Sequence, residues 1–183
     1  MKNIIITIVT LFFALTVYSQ KETTQHTKVD WLSISEALDK NKNNPGKIFI
    51  DVYTDWCGWC KKMDNTTFSD SEVASLLNEH FYPVKFDAES SKTVEFNGKV
   101  YKNPNPGGRR SAHELASALL RNKLSYPSYV ILDKNNKGLT VLKGYLKKEQ
   151  IIPILKYLGK DIYEEMEWKE YKEQQNIQGN SGN

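Results

Sequence analysis

"KIFIDVYTDWCGWCKKM", residues 47–63, joins a β-rich apolar run to both cysteines of the chain, Cys57 and Cys60. The run "KIFIDVY" is nearly all apolar, as a strand buried on both faces would be. The cysteine motif follows directly and reads as the opening of a helix through Lys61 and Met63. A strand that passes straight into a helix begins a strand–helix–strand unit, which implies parallel pairing across a crossover.

The rest of the chain extends that unit. Upstream, "WLSISEALDKNKNNPGK" sets Trp31, Ile34, Ala37 and Leu38 at helical spacing, and Pro45-Gly46 ends the pattern. Downstream, "SDSEVASLLNEHF" offers cap residues and then Val73, Leu76 and Leu77 on one helix face. "FYPVKFDAE" is the second strand, "SYPSYVILD" the third and "LTVLKGY" the fourth, the last two joined by the tight turn "KNNKG" as an antiparallel hairpin. Between the second and third strands, "VEFNGKVYKN" predicts a small hairpin turning at Asn97-Gly98. The loop "PNPGG" and the amphipathic "SAHELASALLRNK" follow it. "KKEQIIPILKYLG" predicts a closing helix that tolerates Pro153 in its early turns. The expected architecture is α/β, a small mixed sheet with helices on both faces.

The ends and the composition narrow the setting. Lys2 precedes an apolar-rich, uncharged segment of 14 residues, Ile4 to Val17. That run is short for a bilayer span, which needs about 20 residues, but suits a signal peptide over residues 1–19. A polar leader, 20–30, follows. After residue 159 the segment 160–183 reads as a tail, partly helical, with disorder over "NIQGNSGN". The net charge of +3, with 39% apolar residues, gives no case for nucleic acid. Export, to the periplasm or beyond, lets a cysteine pair cycle between dithiol and disulfide.

Three readings of the pair differ in chemistry. As a staple it closes a four-residue loop, worth about 2 kcal/mol in the loop-entropy account, and a domain this size does not depend on that. As a structural zinc site it lacks two ligands. His26, His80 and His113 show no ligand spacing, and the latter two read as surface or partly buried helix residues. A two-thiolate site for a soft metal such as copper stays open. As a redox pair it is well placed, because a cysteine at a helix start sits beside unpaired backbone N–H groups and the positive end of the dipole. That lowers a thiol pKa. Cys57 is then an exposed nucleophile and Cys60, three residues on, a buried resolving thiol. Lys61 and Lys62 add positive charge.

"VYTDWCGWCKKM" resembles the thioredoxin family, whose turn W-C-G-P-C-K follows a buried strand. It is closer to exported bacterial thioredoxin-like domains such as the C-terminal periplasmic domain of the membrane thiol:disulfide interchange protein. Those share Y-x-D-W-C-x-x-C-K followed by T-F-S-D, matched by Tyr53 to Lys61 and Thr67 to Asp70. The resemblance runs from about residue 47 to 159, within a thioredoxin-like domain set at 31–159. It implies a three-layer thioredoxin-like fold and several site residues. Asp51, six residues before Cys57, takes the place of a buried proton-shuttling aspartate, with Lys85 near it. Pro127 takes that of a cis-proline facing substrate, with Tyr126 before it. Gly144 matches the glycine after the last strand, and Trp56 the tryptophan before the nucleophile.

Two departures stand out. Trp59 replaces the family's proline between the cysteines, so the redox potential does not carry over; with Trp56 and Gly58 it is expected to form a rim for docking a peptide. The segment 88–123 is a longer insertion before the cis-proline strand, either a partner-recognition element or plain elaboration. The implied activity is thiol:disulfide exchange with partner-protein thiols and disulfides, more as reductant than oxidant, without cofactor or metal. A membrane electron donor would recharge it, and the mature chain is expected to be a monomer without membrane insertion. The rival is a chaperone-like module that grips peptides without redox turnover.

Overall fold

A computed structural model describes residues 28–180. The expected signal peptide and most of the expected leader lie outside the described residues, as does His26. The elements are α1 (Ile34–Asn43), β1 (Lys47–Tyr53), α2 (Gly58–Asn65), α3 (Ser71–His80), β2 (Phe81–Asp87), β3 (Val94–Phe96), β4 (Lys99–Tyr101), α4 (Glu114–Leu119), β5 (Ser128–Leu132), β6 (Gly138–Lys143), α5 (Lys148–Gly159), a 3₁₀ turn (Ile162–Glu164) and α6 (Trp168–Asn180). The main sheet runs β2-β1-β5-β6. β1 pairs parallel with β2 and antiparallel with β5, and β5 pairs antiparallel with β6. This is the mixed sheet between two helical layers that the sequence implies.

β1 is central, and its alternation builds both cores. Ile48, Ile50 and Val52 face one layer, with α1, α4 and the β3–β4 hairpin packed over them. Phe49 faces the other, where Met63 of α2, Val73 and Leu77 of α3, and Ile151 and Leu155 of α5 meet it. Phe49 is fully buried among Phe68, Phe81 and Tyr129. Asp51 has the same parity as Phe49, so the strand's period alone sends its carboxylate beneath α2.

Local chemistry sets the element ends. Ser33 and Glu36 form a reciprocal capping box at the start of α1. Trp31, expected on that helix, therefore lies before it, edge-on to Phe68 at 5.0 Å between ring centres. Leu32 bridges to Val84 beside β2. The last leader residues are held too: the Asn78 side chain donates to the Lys28 carbonyl and accepts from the Asp30 N–H. Asp70 caps α3 through the Glu72 and Val73 N–H groups. Pro153 is the sixth residue of α5, one turn deeper than the free N–H positions, so that helix forgoes a backbone bond. α6 reaches Asn180, into the stretch where composition predicts disorder; Gln favours a helix while Asn and Gly disfavour one, so propensity alone decides little there.

The insertion is folded against the core. Its hairpin turns at Asn97-Gly98 with φ of 51° and 73°, the left-handed pair a two-residue turn requires. Val94, Phe96, Leu115, Ala116 and Leu120 complete the first core. His113 is fully buried rather than superficial, because it caps α4: Nδ1 accepts from the Leu115 N–H, leaving Nε2 to donate to the Lys92 carbonyl at 2.9 Å. α4 itself is shorter than the amphipathic pattern implies, since Arg121 and Asn122 take left-handed conformations after it.

Asn103 ties the connecting loop. Its amide donates to the carbonyls of Glu89 and Ser111 at 3.0 and 2.8 Å, and its oxygen accepts from the Asn105 N–H and the Ser111 hydroxyl at 3.0 and 2.7 Å. Asn103→Ala leaves these partly buried groups unpaired. It is expected to lower stability by about 2–3 kcal/mol in urea unfolding.

Candidate active site

Cys57 is the N-cap of α2 and Cys60 lies in its first turn. The two are joined by a disulfide, with Cα atoms 5.3 Å apart. The Cys57 Sγ accepts from the Cys60 N–H at 3.1 Å, the group that a thiolate would use in the dithiol form. Cys60 is buried as expected, at 2% exposure. Cys57 is not the exposed thiol expected from sequence: it is 4% exposed. Its sulfur is folded back over the first turn of α2 by the bond to Cys60.

On the face of β1 that α2 covers lies Asp51, 1% exposed. In the sheet it is flanked by Lys85 on β2 and Tyr129 on β5. Lys85 Nζ donates to Asp51 Oδ2 at 2.7 Å. Asp51 Oδ1 and the Tyr129 hydroxyl are buried with no hydrogen-bond partner among the described residues. Burial pushes the Asp51 carboxyl up from 3.8 to about 6, against the pull of Lys85. Burial alone would lower the Lys85 ammonium, but Asp51 and Asp64 overcome it and hold it above its ordinary value. Lys85 also sits over the rings of Trp31, Tyr53 and Phe68. The arrangement holds a carboxyl able to take up and return a proton near neutrality, on the side of β1 that faces the helix carrying the pair.

Trp56 and Trp59 are exposed at 53% and 57%. Gly58, between the cysteines, has open space where a side chain would stand. The Tyr126-Pro127 bond is cis, and Tyr126 meets Trp56 edge-on at 5.8 Å. Gly144 has a φ of 80°, and its N–H donates to the Pro127 carbonyl at 2.9 Å.

Four neighbours escape the sequence reading. Asp64 is the second carboxylate on Lys85; it lies one helical turn after Cys60, a spacing that gives it away once α2 is drawn. Tyr145 packs on Trp59, and Glu89 and Arg110 on Trp56. Their spacing carries no such signal, because loops bring them there.

The Thioredox_DsbH family, described as "Protein of unknown function, DUF255", matches residues 14–176. Spermatogenesis-associated protein 20 of Rattus norvegicus is 39% identical over 77 residues, 42% of this chain and 9% of that protein. Disulfide bond reductase DsbH of Chlamydia pneumoniae is 26% identical over 112 residues, 61% of this chain and 60% of its own. The solved structure "DsbH Oxidoreductase" superposes with a TM-score of 0.52 at 23% identity, covering 78% of this chain and 92% of that one. This chain thus spans about a tenth of the first curated relatives' length. The fold is thioredoxin-like, and the chain belongs to the Thioredox_DsbH family.

Proposed function

We propose that this chain is an exported thiol:disulfide oxidoreductase that reduces disulfides in partner proteins. The observation that carries the reading is the Cys57–Cys60 pair at the head of α2 over a buried carboxyl, Asp51. In the reduced chain the Cys57 thiolate attacks one sulfur of a partner disulfide. The partner S–S bond breaks, a Cys57–partner disulfide forms, and the departing partner thiolate takes a proton. Asp51 accepts the Cys60 proton, and the Cys60 thiolate attacks Cys57 Sγ. The second partner thiolate leaves and is protonated in turn. Two electrons and two protons have passed to the partner, and the chain holds the Cys57–Cys60 disulfide. Trp56, Gly58, Trp59, Tyr126 and Pro127 receive the partner segment, with Lys85 and Gly144 supporting.

The name of one relative, the disulfide bond reductase DsbH of Chlamydia pneumoniae, favours the reducing direction. A membrane or thiol-protein donor then recharges the pair. Lys2 and the apolar run Ile4–Val17 support export, and the mature chain acts as a monomer. Among the described residues no helix is long and apolar enough to cross a membrane. The test of direction is the equilibrium of the pair against a glutathione series. The expected potential lies at or below roughly −220 mV, whereas a value near −120 mV, that of a strong disulfide donor, reverses the direction. The exposed tryptophans also suit a peptide-gripping module without turnover, for which Cys57→Ser would leave biological activity intact.

A further inference from the structure

The insertion reaches the cysteine pair through Trp56. Asn103 ties its loop to the backbone of Glu89, and the Glu89 carboxylate accepts the Trp56 indole N–H at 3.0 Å. Arg110, at the end of the same loop, holds its guanidinium carbon over the Trp56 ring, 5.4 Å from its centre. Its backbone is held at a φ of 56°, unfavourable for a residue with a β-carbon. On the other side of the pair, Lys62 Nζ lies 5.0 Å from the Trp59 ring and 5.1 Å from Tyr145.

Both cations are exposed, and neither makes an ion pair or a side-chain hydrogen bond among the described residues. The N–H donors of the Arg110 guanidinium are thus uncommitted. A guanidinium can take a carboxylate through two parallel hydrogen bonds. Of the acids near Trp56, Glu89 accepts from its indole and Asp87 from the Glu89 N–H, while Asp55 is exposed. Each exposed tryptophan has one uncommitted cation against its ring, Arg110 on Trp56 and Lys62 on Trp59.

We propose that Arg110, with Lys62 opposite, selects partner disulfides whose cysteines are flanked by acidic residues, Arg110 being the specificity-determining residue that the insertion contributes. The inference rests on the redox reading above and leaves its chemistry unaltered: the same two electrons pass from Cys57 and Cys60 to the partner disulfide.

The test uses the full mature chain in its dithiol form, in single turnover followed by tryptophan fluorescence. Two peptides with one internal disulfide are compared, alike except that Asp flanks the cysteines in one and Lys in the other. Each rate is divided by that of dithiothreitol with the same peptide, removing intrinsic reactivity. The Asp peptide is expected to react about tenfold faster at low ionic strength, and the ratio to fall toward one in about 1 M salt. Arg110→Glu is expected to invert the order, and Arg110→Lys to keep part of the preference, which separates charge from collapse of the loop. Equal rates for the two peptides, or a ratio that Arg110→Glu leaves unchanged, overturn the selection while the redox reading stands. If the dithiol chain reduces neither peptide nor a small neutral disulfide, the redox reading falls and the selection with it.

Discussion

Replacing Cys60 by serine is expected to arrest the chain as a stable mixed disulfide through Cys57. The serine hydroxyl is not ionised near neutral pH and does not attack sulfur, so the second step has no nucleophile. Resolution should slow by on the order of 10³-fold or more, the scale of losing a reacting group. Non-reducing mass spectrometry reads this directly, as the mass of the chain plus one partner, released by dithiothreitol. Cys57→Ser should give no adduct, because Cys60 lacks the helix-cap position of Cys57. An adduct through Cys60 instead would exchange the roles assigned to the two sulfurs.

Asp51→Asn is expected to make the oxidised chain both more stable and slower. The Asp51 carboxyl ionises at about 6 in the fold against 3.8 ordinarily. The fold therefore binds that proton more tightly than the unfolded chain does. Stability is fully present below about pH 4, falls as pH rises through 6 and is level above it; the difference of about two pH units converts to about 3 kcal/mol. Asparagine removes that cost but takes one partner from Lys85, which keeps Asp64. A net gain on the order of 2 kcal/mol at pH 8 is expected in urea unfolding, with the slope between pH 4 and 6 largely gone. Without the proton acceptor, release of the mixed disulfide at pH 7 should slow by about a hundredfold. A variant that is destabilised at pH 8, or that keeps the wild-type slope, would contradict this account of Asp51.

These effects depend on residues of unequal visibility in the sequence. β1 is legible because seven apolar-rich residues precede a helix start, and its period of two sends Asp51 to the α2 side. The Asp51–Lys85 pair is legible only through resemblance, since nothing local in "VKFDAE" gives the parallel register that sets Lys85 opposite Asp51. Trp31 shows the limit of periodicity: it fits a helical face, but the Ser33 capping box starts the helix two residues later. The burial of Cys57 is illegible for a different reason: its place at a helix start speaks for the charge of its sulfur and says nothing of what packs around it. Glu89 and Arg110 are set by the Asn103 loop, a tie made by one side chain across three segments. No spacing rule announces such a tie.

The most direct measurement is a stoichiometric transfer from the dithiol chain to a protein disulfide, with no other reductant present. One equivalent of reduced chain is mixed with an excess of disulfide-bonded partner, and both products are weighed and counted for thiols. The account predicts two new partner thiols per chain and a chain lighter by two hydrogens, its Cys57 and Cys60 joined to each other. Partner disulfides left intact while Cys57 and Cys60 remain reduced and accessible to a small alkylating reagent would contradict it.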